Sequence, residues 1–224
     1  MIATAADYVW FYDRFPSLWE AYCLTLVESL RPEDVVTRLG ARTEDVVARF
    51  GDWMDNVPSG MSFDDLNSAA YSGPGPYGTW DGHFFGAVSV EDWCLIVEPN
   101  GFMGATPAII KPLSAGTRLV SHRRNVNAVK HFYWAEYGEI QLGFEPPFAS
   151  DRYGSDPDGA VEAMRRAGFD LEDNDKPERL AVAEDVAART GAVFALAENL
   201  TGIKLTAQLL EESAYLCAVA PRTN

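Results

Sequence analysis

Hydrophobic and polar side chains alternate along the middle third of the chain in the pattern of half-buried β-strands. Between residues 129 and 136, Phe132 and Trp134 share one face of an extended chain, because successive side chains in a strand point to opposite faces. The alternation resumes over residues 140–145, after Gly138, which can adopt the positive φ that a tight turn requires. The pattern predicts an antiparallel hairpin.

Further apolar runs predict more strands in the same region. The run at 93–98 is followed by Pro99–Asn100–Gly101, a turn sequence that favours a return strand at 102–105. A short helix is expected at 107–115. The predicted strands outside the hairpin cover residues 87–89, 93–98, 102–105 and 118–123.

Helical periodicity dominates both ends of the chain. Tyr22, Leu26 and Leu30 recur at every fourth residue, which predicts a helix that passes through Tyr22. Pro32 suits the first position of the next helix, and Gly40 suits its end. Toward the end of the chain, helices are predicted over residues 157–167, 177–189, 191–200 and 206–217.

These elements indicate an α+β fold. A central, mostly antiparallel sheet of about residues 86–145 is flanked by N-terminal and C-terminal helices. We expect a single domain over residues 1–224, in which residues 1–56 are helical, 57–85 are loop-rich and 157–217 are helical. The length of 224 residues and the hydrophobic content of 47% are sufficient for one large core.

One short segment occurs twice near the start of the chain. Glu33–Gly40 reads EDVVTRLG and Glu44–Gly51 reads EDVVARFG. Two copies are too few for a solenoid, whereas two short helices with a glycine between them are compatible with a helix-turn-helix. The stretch is acidic, however, and Arg49 is the one base in the second copy. A structural corner is therefore preferred to DNA recognition.

The loop-rich stretch contains an apparent nucleotide-binding motif and several aromatic residues. Residues 73–78 match GxGxxG, but the two prolines within the match lack the backbone N–H groups that would cradle a pyrophosphate. A long loop in a compact domain is either functional or disordered. Because it carries Tyr77, Trp80 and His83, residues 71–86 are interpreted as a recognition flap packed over the sheet.

The chain is strongly acidic. It carries 18 basic and 33 acidic side chains, for a net charge of −15. Such a surface repels phosphate backbones, so nucleic-acid binding is disfavoured. It would attract a basic protein or peptide partner.

The remaining composition indicates a cytoplasmic protein that needs no cofactor and no metal. Cys23, Cys94 and Cys217 are far apart and lie in apolar runs, which is typical of buried, reduced thiols. The sequence contains no CxxC motif and no histidine pair at ligand spacing. No segment has the length and composition of a membrane span or a signal peptide.

The least expected feature is a basic segment in the middle of this acidic chain. Residues 117–131 contain four basic residues and two histidines, and no acidic residue. The guanidinium groups of Arg123 and Arg124 suit a carboxylate or a phosphate, and Asn125 and Asn127 can add oriented amides. Alternatively, the bases pair with acidic helices, and the asparagines supply turn geometry.

Catalytic motifs are missing from the sequence. It contains neither GxSxG nor HExxH. Glu98 and Glu145 both end predicted strands before prolines, so they can form a carboxylate pair or simply face water separately. His83, His122 and His131 could serve as bases or ligands, although their spacing suggests no metal site.

Several segments together resemble a family of uncharacterised actinobacterial proteins. The likeness covers roughly residues 5–220 and implies no activity. It rests on Trp93 with Glu98–Phe102 (EPNGF), Asn125–Ala128 (NVNA), Phe144–Pro146 (FEP), Phe15–Cys23 and Ala197–Gly202. At the level of the fold, the acidic α+β body with a tryptophan-led strand and an Asn-Gly turn is also similar to immunity proteins of the Smi1/Knr4 type.

The sequence thus leads to two main functional hypotheses. The first is a non-catalytic cytoplasmic binding protein for a protein or peptide partner, comparable to an immunity protein or an antitoxin. The second is an enzyme or sensor that holds a small anionic ligand through Arg123, Arg124, Asn125 and Asn127, beneath the 71–86 loop and near Glu98. Nucleic-acid binding ranks last because of the net charge.

Overall fold

An eight-stranded sheet forms the centre of the part of the chain that the structure describes, and every neighbouring pair of strands is antiparallel. The computed structural model describes residues 2–52, 57–171 and 183–222. The strands are β1 (Tyr22–Glu28), β2 (Ser59–Met61), β3 (His83–Val90), β4 (Trp93–Pro99), β5 (Arg118–Arg124), β6 (Lys130–Glu136), β7 (Glu139–Phe144) and β8 (Tyr215–Ala220). They lie in the order β2-β8-β3-β4-β1-β5-β6-β7.

Helices surround this sheet. They are α1 (Trp10–Arg14), α2 (Pro16–Glu20), α3 (Pro32–Leu39), α4 (Glu44–Phe50), α5 (Phe63–Ala70), α6 (Pro107–Leu113), α7 (Val161–Ala167), α8 (Ala183–Thr201) and α9 (Ala207–Glu212). The predicted α+β class, with a central antiparallel sheet and helices at both ends of the chain, is confirmed.

Each face of the sheet contributes to its own hydrophobic core. On one face, called the α8 face, Phe194 of α8 belongs to the same core as Leu24 of β1 and Val120 of β5. On the opposite face, called the α6 face, Ile110 of α6 belongs to the same core as Leu119 of β5. Alternate residues of the strands therefore serve different cores, as the pleat of a sheet requires.

Strand β1 corrects the prediction of a helix through Tyr22. Helix α2 ends at Glu20, and the following strand pairs with β4 on one side and with β5 on the other. Six of its seven residues are buried. A strand that is buried on both faces has a continuous apolar run, and such a run also contains apolar residues at helical spacing. The region 1–56 is thus partly strand.

Two other regions also differ from the prediction. The loop-rich region 57–85 contains β2 and α5, and Ser62 caps α5 by accepting a hydrogen bond from the backbone N–H of Asp65 at 3.2 Å.

The helix predicted over residues 206–217 ends at Glu212, after which the chain forms β8 between β2 and β3. Five of the six residues of β8 are buried, so the same ambiguity of a fully buried strand explains the error.

Helix α8 contains the helix predicted over residues 191–200. Residues 177–182 of the helix predicted over 177–189 lie outside the described residues. The described helix runs without interruption through Thr190, whose hydroxyl accepts a hydrogen bond from the Lys130 Nζ at 2.9 Å. This bond ties α8 to the start of β6.

The two copies of the repeated segment form α3 and α4, which pack against opposite faces of the sheet. Val35 of α3 belongs to the α6-face core, whereas Val46 and Phe50 of α4 belong to the α8-face core. Between them, Arg42 forms two backbone hydrogen bonds with Val219 of β8, at 2.9 and 3.0 Å. This arrangement favours the structural corner over a helix-turn-helix, whose two helices pack against each other.

The predicted hairpin is present as β6 and β7, with Gly138 at a φ of 86° in the turn. A bulge between Trp134 and Ala135 shifts the register, so that Ala135 lies opposite Ile140 while Trp134 lies opposite Leu142. As a result, Ile140 packs against the α6-face core and Leu142 belongs to the α8-face core. The strict alternation that the sequence predicts for β7 is therefore interrupted.

His122 is a buried histidine within the α8-face packing. Its ring centroid lies 4.5 Å from that of Phe194 and 5.5 Å from that of Tyr22. Its Nδ1 is buried and has no hydrogen-bond partner among the described residues. The ring also lines a cavity of about 20 Å³ between α8 and the sheet. Burial lowers the pKa of His122 to about 3, so the imidazole is neutral in the folded protein at neutral pH.

Replacement of His122 should change how stability depends on pH. A depressed pKa in the folded state gives stability that is complete above the unfolded pKa of 6.5 and is lost as the pH falls toward 3. At about pH 4.5, His122→Phe should therefore be about 2 to 3 kcal/mol more stable relative to the native chain than at about pH 7.5. Urea unfolding at the two pH values measures this difference.

The corresponding His131→Phe variant is the control, because His131 is only partly buried. Its effect on the pH dependence should be clearly smaller. An equal effect of the two substitutions would contradict the role assigned to burial at His122.

Candidate functional site

One end of the sheet brings together most of the residues singled out from the sequence. Since neighbouring strands are antiparallel, β1, β3 and β6 begin where β4, β5 and β7 end. The residues at this end, called the Arg123 end, are Cys23, His83, Glu98, Arg123, Arg124, His131 and Glu145. Parts of the chain that are far apart in sequence thus meet at one place.

Arg123 lies on the α6 face of the sheet, opposite Cys23 of β1 and His131 of β6. Its guanidinium carbon is 5.6 Å from the centroid of the Phe102 ring, a distance typical of a cation–π contact. Its Nε is buried without a hydrogen-bond partner, and no carboxylate of the described residues lies within 4 Å of the group. The Nη groups of Arg123 form no hydrogen bond with the described residues, so these groups, and not the buried Nε, are the donors that remain for an external anion.

Arg124, the next residue, lies on the opposite face of the sheet. Its guanidinium carbon is 4.6 Å from the Trp19 ring centroid, and its Nε and Nη1 are buried without partners in the described part of the chain. Burial lowers the pKa of Arg124, an effect opposed by the nearby Tyr22 and Glu20. Because they lie on opposite faces of the sheet, the two arginines cannot bind the same ligand.

The alternative interpretation, that the bases pair within the protein, fits two other members of the basic segment. Arg118 approaches Glu136 at 3.0 Å and Glu28 at 3.6 Å, and it donates a hydrogen bond to the carbonyl of Leu200 at 3.0 Å. Its acidic partners lie on strands and not on helices. Lys130 binds α8 through a hydroxyl group, as described above. Within residues 117–131, the guanidinium groups that have no carboxylate partner among the described residues are those of Arg123 and Arg124.

Asn125 stabilises the turn between β5 and β6. Its Oδ1 accepts hydrogen bonds from the backbone N–H groups of Asn127 at 3.0 Å and Val129 at 2.9 Å. The residue with positive φ in this turn is Ala128, at 60°, and not an asparagine. Asn127 is exposed. The contacts of Asn125 therefore support the alternative role, in which it stabilises the turn between β5 and β6.

Glu98 is fully buried and does not face water. Its two carboxylate oxygens accept hydrogen bonds from the backbone N–H groups of Met103 at 2.9 Å and Gly104 at 3.1 Å. Burial raises the pKa of Glu98 to about 7, against the effect of these hydrogen bonds. Glu145 is exposed and follows β7, with three strands between it and β4. The two carboxylates therefore do not form a pair.

The bonds of Glu98 shape the segment that follows β4. Residues Met103–Ala105 form a short 3-10 helix, so the return strand predicted at 102–105 is wrong. The backbone N–H groups of Met103 and Gly104 point inward to the Glu98 carboxylate, so they cannot pair with a neighbouring strand. Gly101 and Gly104 permit this close approach, since an added Cβ would lie 2.4 Å from the Glu98 side chain and 2.1 Å from the Thr25 Oγ1, respectively. The turn presents Phe102 at the surface.

A buried polar cluster lies beneath this turn on the α6 face. The hydroxyl groups of Thr25 and Ser121 are 2.8 Å apart, and the Cys23 Sγ lies 3.7 Å from that of Ser121. Burial, aided by the nearby Glu98, raises the pKa of the Cys23 thiol well above its ordinary value. Cys23 is therefore a protonated, structural thiol at neutral pH.

The three aromatic and histidine residues of the predicted flap occupy different environments. His83 begins β3 and meets the Phe102 ring edge-on at 4.8 Å, and burial lowers its pKa. Trp80 is buried, stacks on Phe84 at 5.0 Å, and donates its Nε1–H to the carbonyl of Ala69. Tyr77 is fully exposed. His83 meets the Arg123 end through Phe102, whereas Trp80 belongs to the α8-face core and Tyr77 points into solvent, so these three side chains do not form one surface.

Phe102, Tyr133 and Tyr153, which lie at or near the Arg123 end, were not singled out as site residues from the sequence. Phe102 contacts both Arg123 and His83. His131 stacks on Tyr133 at 6.3 Å, and Tyr153 donates a hydrogen bond to the Tyr133 hydroxyl at 3.0 Å. The alternation along β6 places His131 and Tyr133 on one face. Tyr153, in contrast, lies in a polar stretch without periodicity, and no sequence signal connects it to the sheet.

The close packing at Gly104 can be tested by adding one methyl group. Gly104→Ala should destabilise the protein by about 3 kcal/mol, because the new Cβ would overlap Thr25 and Ser121 in a tightly packed interior. Thermal or urea unfolding measures the loss.

Gly116→Ala provides the reference for this experiment. Gly116 has a φ of 72°, and an added Cβ would meet nothing within 4 Å, so its replacement should cost about 1 kcal/mol from backbone strain alone. If Gly104→Ala were no more harmful than this reference, the packing described beneath Phe102 would be incorrect.

Neither a cluster of metal ligands nor a membrane-spanning helix is found in residues 2–52, 57–171 and 183–222. Within these ranges, no three histidine, cysteine or carboxylate residues are grouped so that they could hold a metal ion. No helix in the same ranges combines the length and apolar character that crossing a bilayer requires.

Comparison with known proteins gives a family and no activity. No curated protein and no solved structure matches the chain significantly. A family model described as a family of unknown function matches residues 1–224. This match confirms the expected resemblance to an uncharacterised family. Because the match covers the whole sequence, the chain belongs to this family of unknown function, DUF6461.

Proposed function

We propose that the protein is a binding protein for a small anionic ligand, which it holds at the Arg123 end of the sheet without covalent chemistry. The observation that supports this most directly is the Arg123 guanidinium, which has a buried Nε without a partner and no neighbouring carboxylate among the described residues. Buried polar groups are normally hydrogen-bonded, and a bound anion would give this guanidinium the partner that it lacks among the described residues.

The surroundings of Arg123 suit an oxyanion. Its contact with the Phe102 ring restrains the guanidinium, so less conformational entropy is lost when an anion binds. His131 lies directly opposite on β6. Burial and the nearby Arg123 lower its pKa, an effect opposed by Glu145. A neutral imidazole at this position can donate one N–H to a ligand.

Removal of the guanidinium should weaken ligand binding. Arg123→Ala should weaken the affinity for acetate, benzoate and inorganic phosphate at least about tenfold, the loss expected for a charge-assisted hydrogen bond. Arg123→Lys should recover part of the affinity, since it keeps the charge but not the two-pronged donor geometry. Titration calorimetry or ligand-induced thermal stabilisation measures both effects.

Arg165→Ala is the matched control, because it removes the same charge from an exposed position on α7. It should leave the affinities unchanged. Failure of the native chain to bind any of these anions, or equal losses in the Arg123 and Arg165 variants, would refute the proposal.

The charge of the surface favours a second candidate function, binding of a basic protein partner. The salt bridges within the described residues engage seven carboxylates, a small part of the 33 acidic side chains in the chain. Complementary charge would accelerate association with such a partner. A cytoplasmic protein of the immunity type would act in this way, and the three buried free cysteines are compatible with a reducing compartment.

This second candidate predicts strong dependence on ionic strength. Capture experiments at about 0.05 M salt should recover a basic protein that is released at about 0.5 M, where surface charges are screened. Arg123→Ala should not weaken that interaction, whereas it should weaken the binding of small anions. Recovery of no basic protein at low salt would eliminate the candidate.

A further inference from the structure

We propose that the protonation state of Glu98 regulates the Arg123 end: the ionised carboxylate holds the Phe102 ring against Arg123, and protonation of that carboxylate releases the ring. This inference rests on the proposed function and adds its control by the proton concentration. It draws on the contacts beneath Phe102, which anion binding by itself does not require.

Glu98 is a buried carboxylate without a cationic partner in the described part of the chain. Its exposed fraction is 0%, and none of the ion pairs between described residues includes it. A carboxylate that is buried without a counter-charge takes up a proton more readily than one in water. Burial raises the pKa of Glu98 to about 7, against the effect of its hydrogen bonds. The group therefore changes its charge near neutral pH.

The two hydrogen bonds of Glu98 require the ionised form. An ionised carboxylate accepts hydrogen bonds at both oxygens, whereas a protonated one carries a hydroxyl group that acts as a donor. Here each oxygen accepts from a different residue, Oε2 from the N–H of Met103 and Oε1 from the N–H of Gly104. Protonation at either oxygen therefore weakens one of the two bonds and leaves a buried N–H without its acceptor, which is unfavourable.

The bond to Met103 determines the orientation of Phe102. The N–H of Met103 belongs to the planar peptide group between the two residues, so its direction fixes the ψ angle of Phe102, which is 11°. In this orientation the Phe102 ring lies 5.6 Å from the Arg123 guanidinium carbon and 4.8 Å from the His83 ring. A rotation of the peptide group moves the ring relative to both neighbours.

The base of this turn does not depend on the carboxylate. The backbone N–H of Asn100 donates to the carbonyl of Ala21 at 2.9 Å, and the Met103 side chain is buried in the α6-face core. Protonation of Glu98 leaves these contacts in place. The Phe102 ring, in contrast, is 47% exposed and can move toward solvent. The release is therefore confined to the part of the turn that contacts Arg123.

The other charged and titratable groups of this end have their own pH dependence. On the same face as Glu98 or next to it lie Cys23 of β1, His83 of β3, Arg123 of β5, His131 of β6, Glu145 after β7 and Arg222 after β8. Burial raises the pKa of Cys23 well above its ordinary value and lowers the pKa of both histidines. Among the groups with a perturbed pKa, Glu98 is thus the one that titrates near 7.

Amide exchange tests the release in the native chain. After correction for the intrinsic effect of pH on exchange, the Met103 amide, the Gly104 amide or both should lose about tenfold in protection between about pH 8.5 and about pH 6. The amides of Asn127 and Val129 are the control, because their acceptor, the Asn125 Oδ1, does not titrate. Their protection should stay constant. NMR measures the exchange rate of each amide.

Two variants connect the change to Glu98. Glu98→Gln imitates the protonated side chain at every pH, since its amide has one acceptor oxygen and cannot ionise. In this variant the protection of the Met103 and Gly104 amides should not depend on pH. Glu145→Gln is the matched control, because it removes an exposed carboxylate from the same end of the sheet. It should keep the native pH dependence of both amides.

The affinity for acetate reports whether the release reaches Arg123. Protonation of Glu98 also removes a negative charge, which by itself favours an anion, so the comparison requires a variant that keeps Glu98 and lacks the ring. Phe102→Leu is that variant. From about pH 8.5 to about pH 6.5, the ratio of native to Phe102→Leu affinity should fall about threefold, because the ring restrains the guanidinium only while Glu98 is ionised. Titration calorimetry at fixed ionic strength gives the affinities.

The outcomes separate this inference from the function beneath it. Equal protection of the Met103 and Gly104 amides at the two pH values, or an unchanged pH dependence in Glu98→Gln, would overturn the release. A ratio of acetate affinities that does not depend on pH would overturn the regulation of Arg123, while anion binding would stand. If the native chain binds no acetate at either pH, the proposed function itself fails. The exchange measurement on the native chain decides the release if Glu98→Gln does not fold.

Discussion

The pairing of β1 between β4 and β5 is the constraint on which the rest of the structure depends. Through it, Cys23 lies opposite Glu98 on one side and Arg123 on the other, which brings three distant parts of the chain to one end of the sheet. A shift of one residue in either register would move these side chains to the opposite face. Such a shift would also place the apolar residues of β1 in the wrong cores, so the demand for two filled cores determines the geometry of the Arg123 end.

Strand β5 shows how the same residue type serves two purposes in one acidic protein. At its start, Arg118 is held by Glu136 and Glu28. At its end, Arg123 and Arg124 are held by the faces of aromatic rings. A cation–π contact stabilises the charge without occupying the hydrogen-bond donors in the plane of the guanidinium. The aromatic partners thereby order these two side chains without using their hydrogen-bond donors.

The sequence predicts those strands and helices whose two faces differ in polarity or whose ends carry a recognisable local signal. The β6–β7 hairpin, the helix that begins at Pro32 and the end of that helix at Gly40 follow from alternation and local chemistry. Strands β1 and β8 could not be recognised, because burial on both faces removes the alternation. At the site, Arg123 stood out by its charge. The position of Phe102 depends on Glu98 and Gly104, whose effects arise from tertiary contacts that no local pattern records.

The pKa values of two buried groups of the sheet, His122 and Glu98, bear on why a carboxyl group occupies position 98. His122, with a depressed pKa, favours the folded state above pH 6.5. Glu98 has a raised pKa, so its contribution is complete below pH 4.5 and is lost as the pH rises through about 7. An ionised Glu98 thus costs about 3 kcal/mol above that range, and a neutral side chain would avoid the cost. A neutral apolar side chain could not accept the N–H groups of Met103 and Gly104, however, and these bonds place Phe102 against Arg123. Glu98 is therefore better explained by the position that it gives to Phe102 than by any gain in stability.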